Sequence, residues 1–324
     1  MSNKIIIESI DKAGQVVNVI RPEDEGKISL GTLLEYLAEN KSLIDGLLLK
    51  TGSILFRGFD IPDREEFLKV KEVCAGAANF DYVDGNSPRT KLSSRVYTST
   101  EYPQEYSIPL HSEMSYSSKW PRLLFFYCKT PAAEGGETPI ADCRVILKEL
   151  GSDIVDNFEK YGVKYTRYLN GPGGVGKSWT DTFENADKSA IEKYCQENNI
   201  TFFWEGNSLF LSQLGLGVAT HGVTGEKVWF NQANQFHPSS LPEEVYKGLK
   251  MLYSKKVHKF PQYAFYGNGE EIPEKHIKEI TEVHYDCALK FPWEQGDVLM
   301  LDNMLMSHGR MPFKGERKIY VSMC

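Results

Sequence analysis

The chain has no C-x-x-C pair, no apolar run of membrane-spanning length, no block of like charge and no internal repeat. Each absence removes a class of protein. The six cysteines (Cys74, Cys128, Cys143, Cys195, Cys287 and Cys324) lie far apart, which argues against a zinc knuckle or a disulfide frame and fits reduced thiols in the cytoplasm. A net charge of −7 with scattered lysines and arginines offers no basic stripe, so nucleic acid is not an expected partner. Without a long apolar run no membrane partner is expected, and acidic residues arrive too early after Met1 for a secretory signal. No linker rich in Pro, Gly and Ser divides the chain, so residues 1–324 are expected to form a single domain.

The residues that are present point to many short strands. A 41% hydrophobic content in 324 residues can fill a large core without disulfides, while 15 prolines and 27 glycines disfavour a helical bundle. Residues 5–7, 53–59, 95–98, 122–128, 163–169, 200–204 and 227–230 read as strands. So do residues 297–302, 304–308 and 317–323 near the C-terminus. Apolar residues at helical spacing predict a helix over 30–49 ending at Thr51-Gly52, and a second from Asp63, with Glu66 in the capping-box position, to about Ala75. Two more are expected near 186–198 and 242–254. With helices expected towards the ends and strands between them, the pattern suggests an α+β chain, mainly β, with a sandwich or jelly-roll core.

Within this frame the tripeptide His111-Ser112-Glu113 stands out. In an extended segment, side chains at i and i+2 point the same way, so one metal ion can take both. With a third ligand from elsewhere, two imidazoles and a carboxylate make the facial triad of a non-heme iron(II) site, which leaves positions open for other ligands. His308, in Met-Leu-Met-Ser-His-Gly-Arg310, supplies a distant candidate. Arg317 comes nine residues later in a stretch whose alternation would place one face inside a barrel. A buried guanidinium needs a carboxylate, and an internal acidic partner or a ligand would both satisfy it.

Six ordered blocks carry a resemblance to a known family. They are Gly52-Ser-Ile-Leu-Phe-Arg-Gly-Phe59, His111-Ser-Glu-Met-Ser-Tyr116, Gly135-Gly-Glu-Thr-Pro-Ile-Ala-Asp142, Trp229-Phe-Asn231, Gly296-Asp-Val-Leu-Met-Leu-Asp-Asn303, and His308-Gly-Arg-x-x-Phe-x-Gly-x-Arg317. From about Gly52 to Met323 the chain resembles the iron(II)/2-oxoglutarate-dependent dioxygenases of the taurine dioxygenase and clavaminate synthase-like group, in the branch with Glu in the triad. The resemblance implies a double-stranded β-helix (jelly-roll) core with flanking helices, Fe(II) as cofactor, and 2-oxoglutarate and O2 as co-substrates. By the same resemblance His111, Glu113 and His308 would hold iron. Arg317 and Thr138 would bind the distal carboxylate of 2-oxoglutarate, although Thr138 also reads as an ordinary strand residue. Arg310 would meet a substrate carboxylate or support the metal site. Asn231 and Trp179 would border a substrate pocket, and His237 is a further pocket candidate or a plain loop histidine. The implied reaction is hydroxylation of a small polar substrate, an amino acid or a carrier-bound aminoacyl group, with release of succinate and CO2. The carboxylate ligand favours oxygen transfer over halogenation. The remaining histidines, at 221, 258, 276 and 284, have no carboxylate at useful sequence spacing, except loosely His284 near Asp286.

A competing motif is complete on paper. Gly171-Pro-Gly-Gly-Val-Gly176-Lys177-Ser178 satisfies the phosphate-loop pattern, and Val298-Leu-Met-Leu-Asp302 resembles the strand that ends in a magnesium-binding Asp. The motif needs a helix directly after the loop, and Trp179-Thr-Asp-Thr-Phe183 is a poor first helical turn. Nucleotide hydrolysis therefore stands as the alternative enzyme reading, and a jelly-roll binding protein without catalysis as the non-enzymatic one.

Overall fold

The computed structural model describes residues 4–12, 14–24, 26–85, 91–93, 96–98, 102–174 and 176–324. Its largest sheet has eight strands. Their order is Ile5–Lys12, Gln15–Pro22, Ser53–Phe56, Val298–Asp302, Leu123–Thr130, Lys318–Met323, Val96–Thr98 and Lys91–Ser93. Strands from both ends of the chain thus lie side by side in its centre. The Leu123–Thr130 strand shows why its sequence is a continuous apolar run. Leu124, Phe126 and Cys128 enter one core cluster together with Leu110, Ile140 and Met306. Leu123, Phe125 and Tyr127 enter another, with Leu33, Leu37, Leu48, Phe67 and Val70 from the N-terminal helices. A strand buried on both faces needs no polar alternation. The aromatic stripe at 125–127 is core, divided between two faces.

A smaller sheet faces this one. Its three antiparallel strands are Ile140–Asp142, Met306–Arg310 and Ile108–His111, with Met306–Arg310 in the middle. A separate four-stranded antiparallel sheet contains Thr201–Glu205, Ser208–Gly215, Val163–Leu169 and Gln262–Tyr266.

Several elements differ from the sequence reading. The helix expected over 30–49 is two, Leu30–Glu39 and Lys41–Thr51. At the break, the Asn40 side chain and backbone N–H both donate to the Tyr36 carbonyl, a local bond that competes with helix continuation. The second helix ends where expected, on Gly52 in a left-handed conformation (φ 73°). Asp63 caps Arg64–Ala75 through the Glu66 N–H. The short strand at 5–7 is the long strand Ile5–Lys12, paired with the unexpected Gln15–Pro22. Arg95, the expected first residue of a strand, lies outside the described residues. Helices are not confined to the ends of the chain. Cys143–Glu149, Ser152–Tyr161 and Glu274–Asp286 interleave with strands, and their polar faces hid them from a reading based on apolar runs. Among the described residues no helix is long and apolar enough to cross a membrane.

Candidate metal centre

His111 is the last residue of its strand, and its cross-strand partner in the central strand is His308. Directly opposed residues of an antiparallel pair bring their side chains close. Here the two imidazole rings lie 4.6 Å apart, centre to centre. After His111 the chain leaves the sheet through a tight turn in which Met114 takes a left-handed conformation (φ 56°), and Glu113 lies in that turn. Nε2 of His308 is 3.7 Å from Oε2 of Glu113, and one ligand atom from each of the three residues lies within 4.8 Å of the others. All three side chains are buried.

The residues fit a divalent metal ion. Nδ1 of His111 lies 2.8 Å from the Pro109 carbonyl, which can only accept, so Nδ1 carries the proton and Nε2 keeps its lone pair. This is the arrangement by which a metal-binding histidine is usually oriented. The 3.7 Å gap between His308 and Glu113 is too long for a hydrogen bond and leaves room for an ion between them. A buried carboxylate facing two imidazoles is costly by itself and stable around a cation. The His308 ring packs on Phe126 of the large sheet, centroids 5.1 Å apart, so the cluster lies between the two sheets.

The backbone that carries the ligands is held by side-chain amides. Asn303, fully buried, accepts the Glu113 N–H (2.7 Å) and donates to the carbonyls of Glu113 and Pro121 (2.9 Å each). Gln232 donates to the Ser112 carbonyl (2.7 Å) and Asn234 to that of Leu110 (3.2 Å). Sequence reading assigned no role to these three. The only available signal was that Asn303 closes one of the ordered blocks and that Gln232 comes directly after another.

Thr138 and the Gly136 carbonyl that Arg317 bonds both lie on the segment beside the His308 strand. The segment before Ile140 runs along that strand, with Gly309 N–H bonded to the Pro139 carbonyl and Met311 N–H to that of Glu137. Arg317 Nε donates to the Gly136 carbonyl (2.8 Å), two residues from Thr138. Gly136 is required there: its φ is 74°, and a Cβ would sit 3.0 Å from Arg317 Cδ. The Thr138 hydroxyl is buried and accepts from the Trp293 indole N–H (3.2 Å). Burial, and then the nearby charge of Arg310, pull the Arg317 pKa down to about 10. An incoming carboxylate would relieve both costs.

Other expected site residues bond within the chain. Arg310 is spent on the chain itself: its guanidinium donates to the carbonyls of Tyr102, Pro103 and Tyr106 at 2.7–2.8 Å, stapling that loop to the His308 strand. The Asn231 amide is taken by backbone, accepting from Ala233 N–H and donating to the Gly217 carbonyl. Trp179 packs edge-on against Trp204 in a separate core cluster and donates to the Asn207 carbonyl. These two serve packing and turn closure. His237 caps a short 3-10 turn through Ser239, and burial lowers its pKa to about 4. His221, His258 and His276 do meet carboxylates, Asp302, Glu205 and Asp153, each far away in sequence.

The phosphate-loop reading fails on context. The strand before the loop, Val163–Leu169, is antiparallel to both neighbours, and Val298–Asp302 lies in a different sheet. After the loop comes one helical turn, Trp179–Phe183, closed by a capping box between Ser178 and Asp181. That turn is helical despite its β-forming residues, because the cap satisfies its first N–H groups. Lys177 donates to the Gly85 carbonyl. Val175 lies outside the described residues.

Comparison with known proteins bears on the family of the chain. The sequence profile described as "Taurine catabolism dioxygenase TauD, TfdA family" matches residues 13–323. The dapdiamide synthesis protein DdaC of Enterobacter agglomerans is 38% identical over 281 residues, 86% of this chain and 84% of that protein. A clavaminate synthase-like protein of Arabidopsis thaliana is 29% identical over 306 residues, 92% of this chain and 88% of that protein. Among solved structures, PvcB from Pseudomonas aeruginosa shares the fold with a TM-score of 0.54 at 14% identity, covering 100% of this chain and 92% of that one. A second structure of PvcB describes it as an Fe, alpha-ketoglutarate dependent oxygenase from an isonitrile synthetic pathway.

Proposed function

The chain belongs to the TauD/TfdA dioxygenase family, a non-heme iron and 2-oxoglutarate-dependent class, and from that premise we propose that it hydroxylates a C–H bond of a small polar substrate. The substrate class is an amino acid or an aminoacyl group, free or tethered to a carrier protein. One observation carries the assignment of the site: His111 and His308 face each other across two strands, with Glu113 3.7 Å from His308. In this reading the three residues hold Fe(II), and the large and small sheets are the two halves of a jelly roll within a single domain.

Bound iron, with 2-oxoglutarate and O2, supplies oxidative decarboxylation to succinate and CO2 coupled to oxygen insertion into the substrate. The chain's own contribution is placement. Pro109 fixes the His111 tautomer, so a lone pair faces the site. Arg317, whose Nε bonds the Gly136 carbonyl, and Thr138 would hold the distal carboxylate of 2-oxoglutarate and so orient its oxoacid end. Phe126 and the two sheets enclose the cluster and limit water. The name of the 38% identical relative, a dapdiamide synthesis protein, supports a biosynthetic substrate.

Succinate release with Fe(II), ascorbate and 2-oxoglutarate tests the reading, first without substrate and then with candidate amino acids, free and carrier-tethered. Turnover lost in His111→Ala, and a raised KM for 2-oxoglutarate in Arg317→Ala, are expected. A protein that binds neither Fe(II) nor 2-oxoglutarate would refute the iron reading and leave a binding protein without catalysis.

A further inference from the structure

Glu113 differs from the two histidines in how it is held. His111 and His308 belong to paired strands, whose ladder fixes their backbone. Glu113 lies beyond the strand end, in a turn outside the ladder. Its N–H and C=O are both bonded instead by one side chain, that of Asn303, at 2.7 and 2.9 Å. The same amide also reaches the Pro121 carbonyl at 2.9 Å, where the turn region leads into the Leu123–Thr130 strand. Asn303 is itself rigid. It comes directly after the Val298–Asp302 strand, its N–H is bonded to the Arg122 carbonyl, and its side chain is fully buried.

We propose that Asn303 is the positioning residue for the carboxylate ligand, setting the backbone of Glu113 so that its side chain reaches the site formed with His111 and His308. An amide alone among side chains offers an acceptor and two donors in one plane, which this clamp uses in full. Aspartate would present a second oxygen to two carbonyls, and alanine would remove all three of these hydrogen bonds. The inference rests on the iron reading of the site.

The test measures binding of Co(II) alone, without 2-oxoglutarate, by calorimetry on metal-free protein, alongside the thermal midpoint of each metal-free variant. Asn303→Ala is expected to weaken Co(II) binding about 10- to 100-fold, as loss of a supporting residue at a metal site does. Asn198→Ala is the control. That buried asparagine donates to the Tyr194 carbonyl at a helix end, so its loss is expected to lower the midpoint while leaving Co(II) affinity unchanged. Equal Co(II) affinity in wild type and Asn303→Ala overturns the inference, as does an equal loss in both variants. If Asn303→Ala does not fold, Asn303→Ser, whose hydroxyl reaches one of the three partners, is judged by the same criterion. If wild type binds no Co(II), or His111→Ala binds it as well as wild type, the iron reading itself falls.

Discussion

Two short motifs compete in this chain, and the structure treats them in opposite ways. His111-Ser-Glu113 is the weaker pattern on paper, three residues that recur often by chance. Residues 171–178 match a longer and more specific pattern in full. Yet the shorter one acquires a partner from nearly 200 positions away, by direct cross-strand pairing with His308. The longer one leads into a single helical turn beside an antiparallel strand, and its lysine bonds a backbone carbonyl. A motif specifies chemistry only where the fold supplies the geometry on which that chemistry depends.

That contrast can be broken experimentally, and the largest effect should come from the triad. His308→Ala is expected to reduce Fe(II) affinity by more than the roughly 10–100-fold cost of losing a supporting residue, with succinate release lost. Anaerobic metal titration checks this, and wild-type-like binding would dissolve the distinction between the motifs. Arg317→Ala should leave metal binding intact and raise KM for 2-oxoglutarate about 10- to 100-fold, the worth of a charge-assisted hydrogen bond of about 1.5–3 kcal/mol. Arg310→Ala separates the two arginines. It should destabilise the fold by about 2 kcal/mol, by stranding carbonyls of the 102–106 loop, and change KM far less than Arg317→Ala does.

The histidines outside the triad give a smaller effect with a definite sign. Burial holds His237 and His284 near pKa 4, against an ordinary value of 6.5. Between those values the unfolded chain binds more protons than the folded one. Their contribution is therefore fully present above pH 6.5 and is lost as pH falls towards 4, with a slope of up to about 1.4 kcal/mol per pH unit for each. Thermal unfolding of metal-free protein from pH 8 to 5 should show falling midpoints, with a shallower fall in His284→Asn. The smallest change is expected from Lys177→Ala: a stability loss within about 1 kcal/mol, unaltered metal and 2-oxoglutarate binding, and no ATP binding by calorimetry in either protein. Tight ATP binding that requires Lys177 would restore the phosphate-loop reading.

Much of the site was legible because its chemistry is carried by rare residue types in ordered blocks. Histidine is scarce, with seven in the chain, so His111 and His308 could be picked out, whereas the roles of Thr138 and Arg317 were expected only from the family resemblance. Three expected substrate contacts bond within the chain for a common reason. Arginine, asparagine and tryptophan next to a functional block have backbone carbonyls and N–H groups within reach, and Arg310, Asn231 and Trp179 all bond there. The histidine–carboxylate pairs were invisible because their partners are 53 to 123 positions apart, as His258–Glu205 and His276–Asp153 illustrate.

The sequence by itself determined the ligand chemistry, the strand-rich class and the apolar character of the Leu123–Thr130 strand, since residue type and periodicity are local properties. Only the tertiary structure decided that His111 and His308 share a register, that Arg310 staples a loop while Arg317 bonds the Gly136 carbonyl, and that Asn303 clamps the turn bearing Glu113. Register and side-chain amide bonds depend on which distant segments pack together, and that is set by burial of the whole core rather than by any local pattern.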